Sequence, residues 1–296
     1  VPHVHRKFFE LLRASGINPV KRGEQMQIMA LTNKDVDQLA GDRNLENGEL
    51  VEWKEGLKSV RGGLFDDSLT GGHGGNRWSS VKLVEPMLSP AFEEPVRRLL
   101  GLTVKQFEDV IAGKHDLHGE TGPKAIHNAL SRIDLDRELS HARLQIAGGK
   151  KTALDTAIRR MMYLKSAKAL GIHPRDWILD RVPVLPPRYR PVSIMVGNRQ
   201  PLVADANMLY RDLIEANDNL KEMSGRVDDV GSERLALYNA FKAVVGLGDP
   251  ITAKNQERRV KGILQQVLGS SPKYSYLHRK LLSSPVGTVG RAVIAP

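Results

Sequence analysis

Two amphipathic runs separated by a short polar tip restrict this chain more than any other feature. In "DANMLYRDLIEANDNLKEM" the residues Leu209, Leu213, Asn217 and Leu220 recur at helical spacing on one stripe. Asp205 is expected to be the N-cap of that helix. In "SERLALYNAFKAVVGLG" the residues Leu235, Tyr238, Phe241 and Val245 repeat the device. The tip "SGRVDDVG" is too short to let two such helices do anything but reverse direction. The result is an antiparallel helical hairpin. Periodicity alone leaves open whether it projects as a coiled coil or lies in a common core.

The rest of the chain reads as further helices punctuated by glycine. The opening "FFELL" predicts one short helix, stopped by Gly16 and Pro19. Thr32 or Asn33 caps a second, which ends at Gly41. "SVKLVEP" predicts a strand ended by Pro86, and four helical stretches between residues 90 and 170 each run into a glycine. Trp177 to Val184 predicts a short apolar strand broken by Pro186 and Pro187. The expected fold is therefore mainly α with short β segments.

Charge is distributed unevenly. From Lys254 onward eight basic residues face Glu257 alone, which places +7 of the chain's +10 in the last 43 residues. Such clustering is the footprint of a polyanionic partner, usually nucleic acid, or of a solvated basic tail. Aromatic residues make up 5% of the chain, too few for a stacking platform to dominate binding of single strands. The absence of cysteine excludes disulfides and thiolate zinc sites and fits a reducing compartment. No apolar run nears the ~20 residues that cross a bilayer, so a cytoplasmic protein without a membrane partner is expected. The first residue is Val1 rather than Met, so a processed product or an excerpt of a longer protein is expected.

Catalytic motifs are weak. His115 and His118 stand three apart, but Gly113 and Gly119 bracket them and no further ligands follow, so surface histidines are expected and no metal site. "GGHGGNRW" lacks phosphate-loop spacing and precedes a strand, which points to a backbone crossing. The acids of "FDD" are expected to be solvated or capping residues, and no catalytic residues are assigned.

"DWILDRVPVLPPRYRPV" followed by "DANMLYRDLIEANDNLK" resembles the β′ subunit of multisubunit RNA polymerases, which carries a similar Trp-x-Ile-Leu, a Leu-Pro-Pro loop and an asparagine-rich helix in that order. "LLSSPVGTVGRAVIAP", "GGLFDDSLTG" and "GGKKTALDTAIRRMMYLKSAKALG" are similar to further β′ segments, so that the resemblance runs from about residue 62 to 296. It implies a β′-like clamp with a projecting hairpin, divided into an amino-terminal helical segment (1–60), a clamp-like region (61–175), a strand and lid-like loop (176–204), the coiled-coil hairpin (205–247) and a rudder and switch-2-like basic segment (248–296).

The resemblance also implies roles. Arg258, Arg259, Lys261, Lys273, Arg279, Lys280 and Arg291 would hold template DNA; Leu185, Pro186, Pro187, Arg188 and Arg190 would face the RNA–DNA hybrid; Tyr210, Arg211, Ala216, Asn217 and Asn219 would meet a promoter-specificity factor. Other polymerase subunits would be partners, and magnesium would belong to the assembled polymerase rather than to this chain.

The departures are as informative. The zinc ribbon is missing, Ala216, Asn219 and Glu222 stand where the family helix has arginines, and Ser284-Pro285 replaces a Lys-Arg pair, while Arg291 is kept. The Asn-Ala-Asp-Phe-Asp-Gly-Asp loop that holds catalytic magnesium does not occur, so a partner chain is expected to carry it, as in a split subunit of phage type. The alternative is a stand-alone basic nucleic-acid-binding or transcription-regulating protein with the same fold.

Overall fold

The computed structural model describes residues 31–53, 57–148, 151–194 and 201–269. The helix expected at "FFELL" and the basic residues Lys273, Arg279, Lys280 and Arg291 lie outside them. Helix α1 (Asn33–Ala40) starts on a capping box: the Thr32 hydroxyl accepts the Asp35 N–H, and the Asp35 carboxylate accepts the Thr32 N–H. A small hairpin, β1 (Val51–Trp53) and β2 (Leu57–Ser59), and the single turn α2 (Asp67–Thr70) lead to β3 (Ser79–Leu88). Helices α3 (Glu93–Leu100), α4 (Val104–Ile111), α5 (Pro123–Ser131), α6 (Leu135–Gly148) and α7 (Lys151–Leu170) follow. Gly101 closes α3 in the left-handed conformation, which a Cβ would strain.

Strand β4 (Ile178–Val184) pairs antiparallel with β3. The pairing corrects one expectation: β3 continues past Pro86 to Leu88. Its register shifts between Lys82 and Met87, and within that irregularity a proline without an N–H interrupts no ladder bond. The hairpin β5 (Val192–Ile194) and β6 (Pro201–Val203) precedes α8 (Asp205–Ser224), α9 (Gly231–Val245), α10 (Ala253–Glu257) and α11 (Ile263–Leu268). A second correction concerns α8. Ala204 is its N-cap, and Asp205 is its first helical residue.

The fold is mainly helical with short antiparallel strands. The β3–β4 ribbon is its centre: α1 lies on β4, α5 and α8 lie on β3, and α9 packs antiparallel on α8. Leu213 and Leu220 of α8 and Leu237, Phe241 and Val244 of α9 are buried, while Leu235, expected in the seam, is half-buried. The other side of α9 is engaged as well. Tyr238 meets Phe107 edge-on at 5.7 Å, and its hydroxyl donates to Glu93 at 3.0 Å. Lys242 reaches the same Glu93 at 2.9 Å, and Arg234 grips Glu85 of β3 with two bonds of 2.8 and 2.7 Å. The hairpin thus lies along the body, and residues 224–229 at its tip are exposed.

Candidate nucleic-acid interface

Two polar segments, more than sixty residues apart in sequence, are fastened to the first half of α8. The first is the loop 185–190 after β4. Pro186 and Pro187 end the strand, since neither offers an N–H to a ladder, and residues 187–189 form one 3₁₀ turn. Arg190 then folds back. It is fully buried; its Nε donates to the Leu185 carbonyl at 2.7 Å, one Nη to Asn207 Oδ1 at 2.8 Å and the other to the Leu64 carbonyl at 2.6 Å. Asn207 Nδ2 returns a bond of 2.8 Å to the Arg190 carbonyl. The guanidinium also lies 4.9 Å from the Phe65 ring centre and 6.0 Å from that of Tyr210.

No carboxylate is among these partners, so carbonyl dipoles and ring faces hold the charge. Burial brings the Arg190 pKa down to about 10, opposed by Tyr210. Tyr210 is buried too. Its hydroxyl accepts the Leu185 N–H at 3.2 Å and donates to the Pro183 carbonyl at 3.3 Å. Burial pushes its phenol up to about 12, against the bond from Leu185 and the charge of Arg190. The beginning and end of the loop are therefore tied to one helix, and Arg188 is left exposed at its crest.

The glycine-rich loop supports the crest from below. The Arg188 N–H donates to the Gly75 carbonyl at 3.1 Å, and a Cβ on Gly75 would lie 2.0 Å from the Thr70 carbonyl. Only glycine permits that approach. Asp66, upstream, caps α2. Burial pushes its carboxyl up, but bonds from the Ser68 hydroxyl and the N–H groups of Gly62, Ser68 and Leu69 outweigh it and hold the pKa below the usual value.

The second segment is the turn 252–262. Asp212 Oδ2 accepts the Thr252 hydroxyl at 3.1 Å and Asn255 Nδ2 at 2.7 Å, and both Asp212 and Asn255 are buried. Asp205 Oδ2 accepts the Lys261 N–H at 3.0 Å. Gly262 fits against the end of α9 so closely that a Cβ would lie 2.3 Å from the Ala243 carbonyl. Arg258, Arg259 and Lys261 are exposed on this turn, and the described residues provide no ion pair for them.

Of the residues expected to face a partner on the hairpin, Asn219 is exposed, and Arg211 is half-buried with a 3.1 Å bridge to Glu215. Tyr210, Ala216 and Asn217 are buried, which corrects their placement on an accessible surface. Asn217 is engaged at the irregular part of β3. Its Oδ1 accepts the Val84 N–H at 2.9 Å and its Nδ2 donates to the Lys82 carbonyl at 3.1 Å, so the side-chain amide acts as a strand neighbour. Arg190, Pro186 and Pro187 are corrected likewise: all three are buried and have no surface to offer a hybrid, which leaves Arg188 exposed and Leu185 half-buried.

No family model matches the chain. Among curated proteins it is 30% identical over 201 residues to the DNA-directed RNA polymerase subunit beta' of Staphylococcus saprophyticus, covering 64% of this chain and 16% of that protein. It is 30% identical over 213 residues to the same subunit of Streptococcus mutans, covering 69% and 17%. With the subunit of Listeria grayi the identity is 32% over 191 residues, covering 60% and 17%. This chain carries a β′-like region.

The chain spans only 16–17% of the length of these β′ relatives. The residues that organise the interface include four that the sequence analysis did not single out as site residues: Leu64, Asn207, Asp212 and Asn255. A signal for two of them existed. Asn207 and Asp212 sit among Ala206, Met208, Leu209, Leu213 and Ile214 of α8, and polar groups within apolar surroundings need partners. Leu64 contributes only a carbonyl and leaves no such trace. Magnesium does not fit the described residues: no three of their His, Asp or Glu side chains cluster as a metal site would require, and His115 and His118 lie in a turn rather than on a helix. No helix among the described residues is long and apolar enough to cross a membrane.

Proposed function

We propose that this chain provides the clamp and lid of a β′-like subunit in a DNA-dependent RNA polymerase, where it holds template DNA and the RNA–DNA hybrid. One observation carries the reading: the first half of α8 fixes both the 185–190 loop, through Arg190, Asn207 and Tyr210, and the 252–262 turn, through Asp205, Asp212 and Asn255. Arg188 and the cations Arg258, Arg259 and Lys261 are thereby exposed on segments anchored to one rigid helix. In this reading the exposed Arg188 and the half-buried Leu185 face the hybrid, while Pro186, Pro187 and Arg190 shape the loop from inside. Lys273, Arg279, Lys280 and Arg291 extend the same template contact, and the exposed hairpin tip with Asn219 is where a promoter factor would dock.

Polymerisation requires carboxylate-held magnesium to activate the RNA 3′ hydroxyl. The reading assigns that chemistry to polypeptide outside these 296 residues, and this chain's contribution is to position phosphates. The test is co-expression with a chain that bears the aspartate loop, followed by DNA binding of the assembly across salt concentrations. An active assembly is expected, and Arg258→Ala with Arg259→Ala should lower the slope of log affinity against log salt by about 1.8 on duplex, since each phosphate contact contributes about 0.9. Failure to assemble, or an unchanged slope with unchanged affinity, overturns the reading.

A further inference from the structure

The hairpin of α6 and α7 carries a second concentration of charge. Residues 135–170 hold eight basic residues against three acids, a net +5. With +7 in residues 254–296, everything else in the chain sums to −2. The three acids are all taken up in ion pairs: Glu138 with Arg160 at 2.6 Å, Asp155 with Arg159 at 3.0 Å, and Asp136 with Lys168. Asp134, just before α6, caps its first turn by accepting the N–H groups of Asp136 and Arg137. Arg137, Arg143 and Lys165 are exposed, and no carboxylate of the described residues pairs with them. The field that remains on this hairpin is of one sign.

The two helices also enclose a place for a ligand. A groove of about 420 Å³ runs between them, with Asp136, Ser140 and Arg143 on the α6 side and Lys165 and Lys168 on the α7 side; Asp136 is the one carboxylate in its lining and is paired with Lys168. Its apolar floor, Leu139, is buried and offers no anchor, and the exposed Leu144 lines a separate cleft on the other flank. Protein interfaces are anchored by aromatic and apolar side chains and are poor in lysine. Two lysines and an arginine around a narrow groove fit a chain of phosphates instead.

We propose that the α6–α7 groove is a second, sequence-independent DNA site, which grips the phosphate backbone of a duplex through Arg143, Lys165 and Lys168 with Arg137 beside them. It rests on the polymerase reading only in taking DNA as the polyanion, and it is separate from the 252–262 turn in both sequence and attachment. Lys168 reaches phosphate by giving up Asp136, so Arg143 and Lys165 carry the larger share.

The test uses the full chain and a random-sequence duplex. Arg143→Ala with Lys165→Ala should weaken binding about tenfold or more at low salt and lower the salt slope by about 1.8, with the preference among DNA sequences unchanged. Between about 50 and 200 mM salt the variant then loses about twelvefold less affinity than the parent. Both residues are exposed, so an unchanged melting temperature is expected; if it falls, Arg143→Gln with Lys165→Gln, which keeps the stems, takes its place. Arg258→Ala with Arg259→Ala is run in parallel. Loss of slope in that variant alone overturns the second site and leaves the polymerase reading standing; loss in the groove variant alone supports the site and counts against the template turn. Unchanged affinity and slope for DNA, together with lost capture of polyglutamate, also overturns the proposal by assigning the groove to an acidic polypeptide.

Discussion

The molecule contains two antiparallel helical hairpins, α6–α7 and α8–α9, of similar length and opposite environment. In α8, eleven of twenty residues are buried, because its faces meet β3, the 185–190 loop and α9 at once. In α7, equally long, Ala157, Leu164 and Ala167 are the buried positions among those whose side chains are described. Its neighbours are α6 and α3. The difference shows in the polar residues. On α8 three of them, Asn207, Asp212 and Asn217, point inward and bond to other segments: Asn207 to Arg190, Asp212 to Thr252 and Asn255, and Asn217 to the β3 backbone. On α6 and α7 they point outward: Glu138 and Asp136 pair across the hairpin with Arg160 and Lys168, Asp155 pairs with Arg159 along α7, and Arg137, Arg143 and Lys165 meet no carboxylate of the described residues. Embedded polar groups specify how α8 sits; exposed ones leave α6–α7 a charged surface. The same supersecondary motif thus serves as a girder in one place and as a surface in the other.

That contrast can be broken by experiment. The largest effect is expected at the knot that docks α8. Arg190→Met leaves the Leu64 and Leu185 carbonyls and Asn207 Oδ1 buried without their donor, at about 1–3 kcal/mol for each orphaned group. A net loss of about 3–5 kcal/mol is expected in urea unfolding. A loss below about 1 kcal/mol would mean that the knot does not hold the helix.

The second effect compares leucines directly. Leu220 is fully buried on α8 and Leu144 is 71% exposed on α6. Leu220→Ala should cost about 2–5 kcal/mol and Leu144→Ala less than about 0.5. Equal losses in paired melts would erase the distinction between the hairpins.

The third is confined to alkaline solution and tests Tyr210. Its folded pKa of about 12 lies above the ordinary 10.0, so its share of stability is complete below pH ~10 and is lost as pH rises towards ~12, when the unfolded chain ionises first. Arg190, with a folded pKa of about 10 against 12.5, acts in the opposite sense over the same range, since the folded state gives up its proton first. Tyr210→Phe removes the first contribution and, with it, the interaction with Tyr210 that opposes the fall of the Arg190 pKa. Relative to the parent, the variant should gain about 2 kcal/mol of stability between pH ~10 and ~12, as read from urea midpoints. A constant difference across that interval would show that the buried phenol titrates as it does in water.

Much of this architecture was legible from the chain. Helical spacing with glycine stops located α3, α4, α6 and α7 in outline, the proline pair ended β4 where it does, and the polar tip made α8 and α9 antiparallel. The short α5 passed unnoticed, and β3 was cut at Pro86, because a bulge is a property of two strands and one strand's composition does not announce it. The charge near the end of the chain was conspicuous because Glu257 is the one acid among its eight basic residues. The charge on α6–α7 was not, since its acids and bases alternate and become a one-signed surface only when Glu138, Asp136 and Asp155 find their partners.

What the sequence determined by itself is local: which segments are helical, where they stop, how the hairpins reverse, and where net charge accumulates. Those properties follow from backbone preferences and from neighbours within a few residues. Only the tertiary structure decided which polar residues are structural and which are offered to a partner. An asparagine or arginine has the same identity in either role, and the choice is made by the group that meets it. Asn217 meets β3 backbone about 135 residues away, and Arg190 meets the Leu64 carbonyl 126 residues away. Burial without such a bond would cost each of them more than the packing returns, so it is the distant partner that draws them inside.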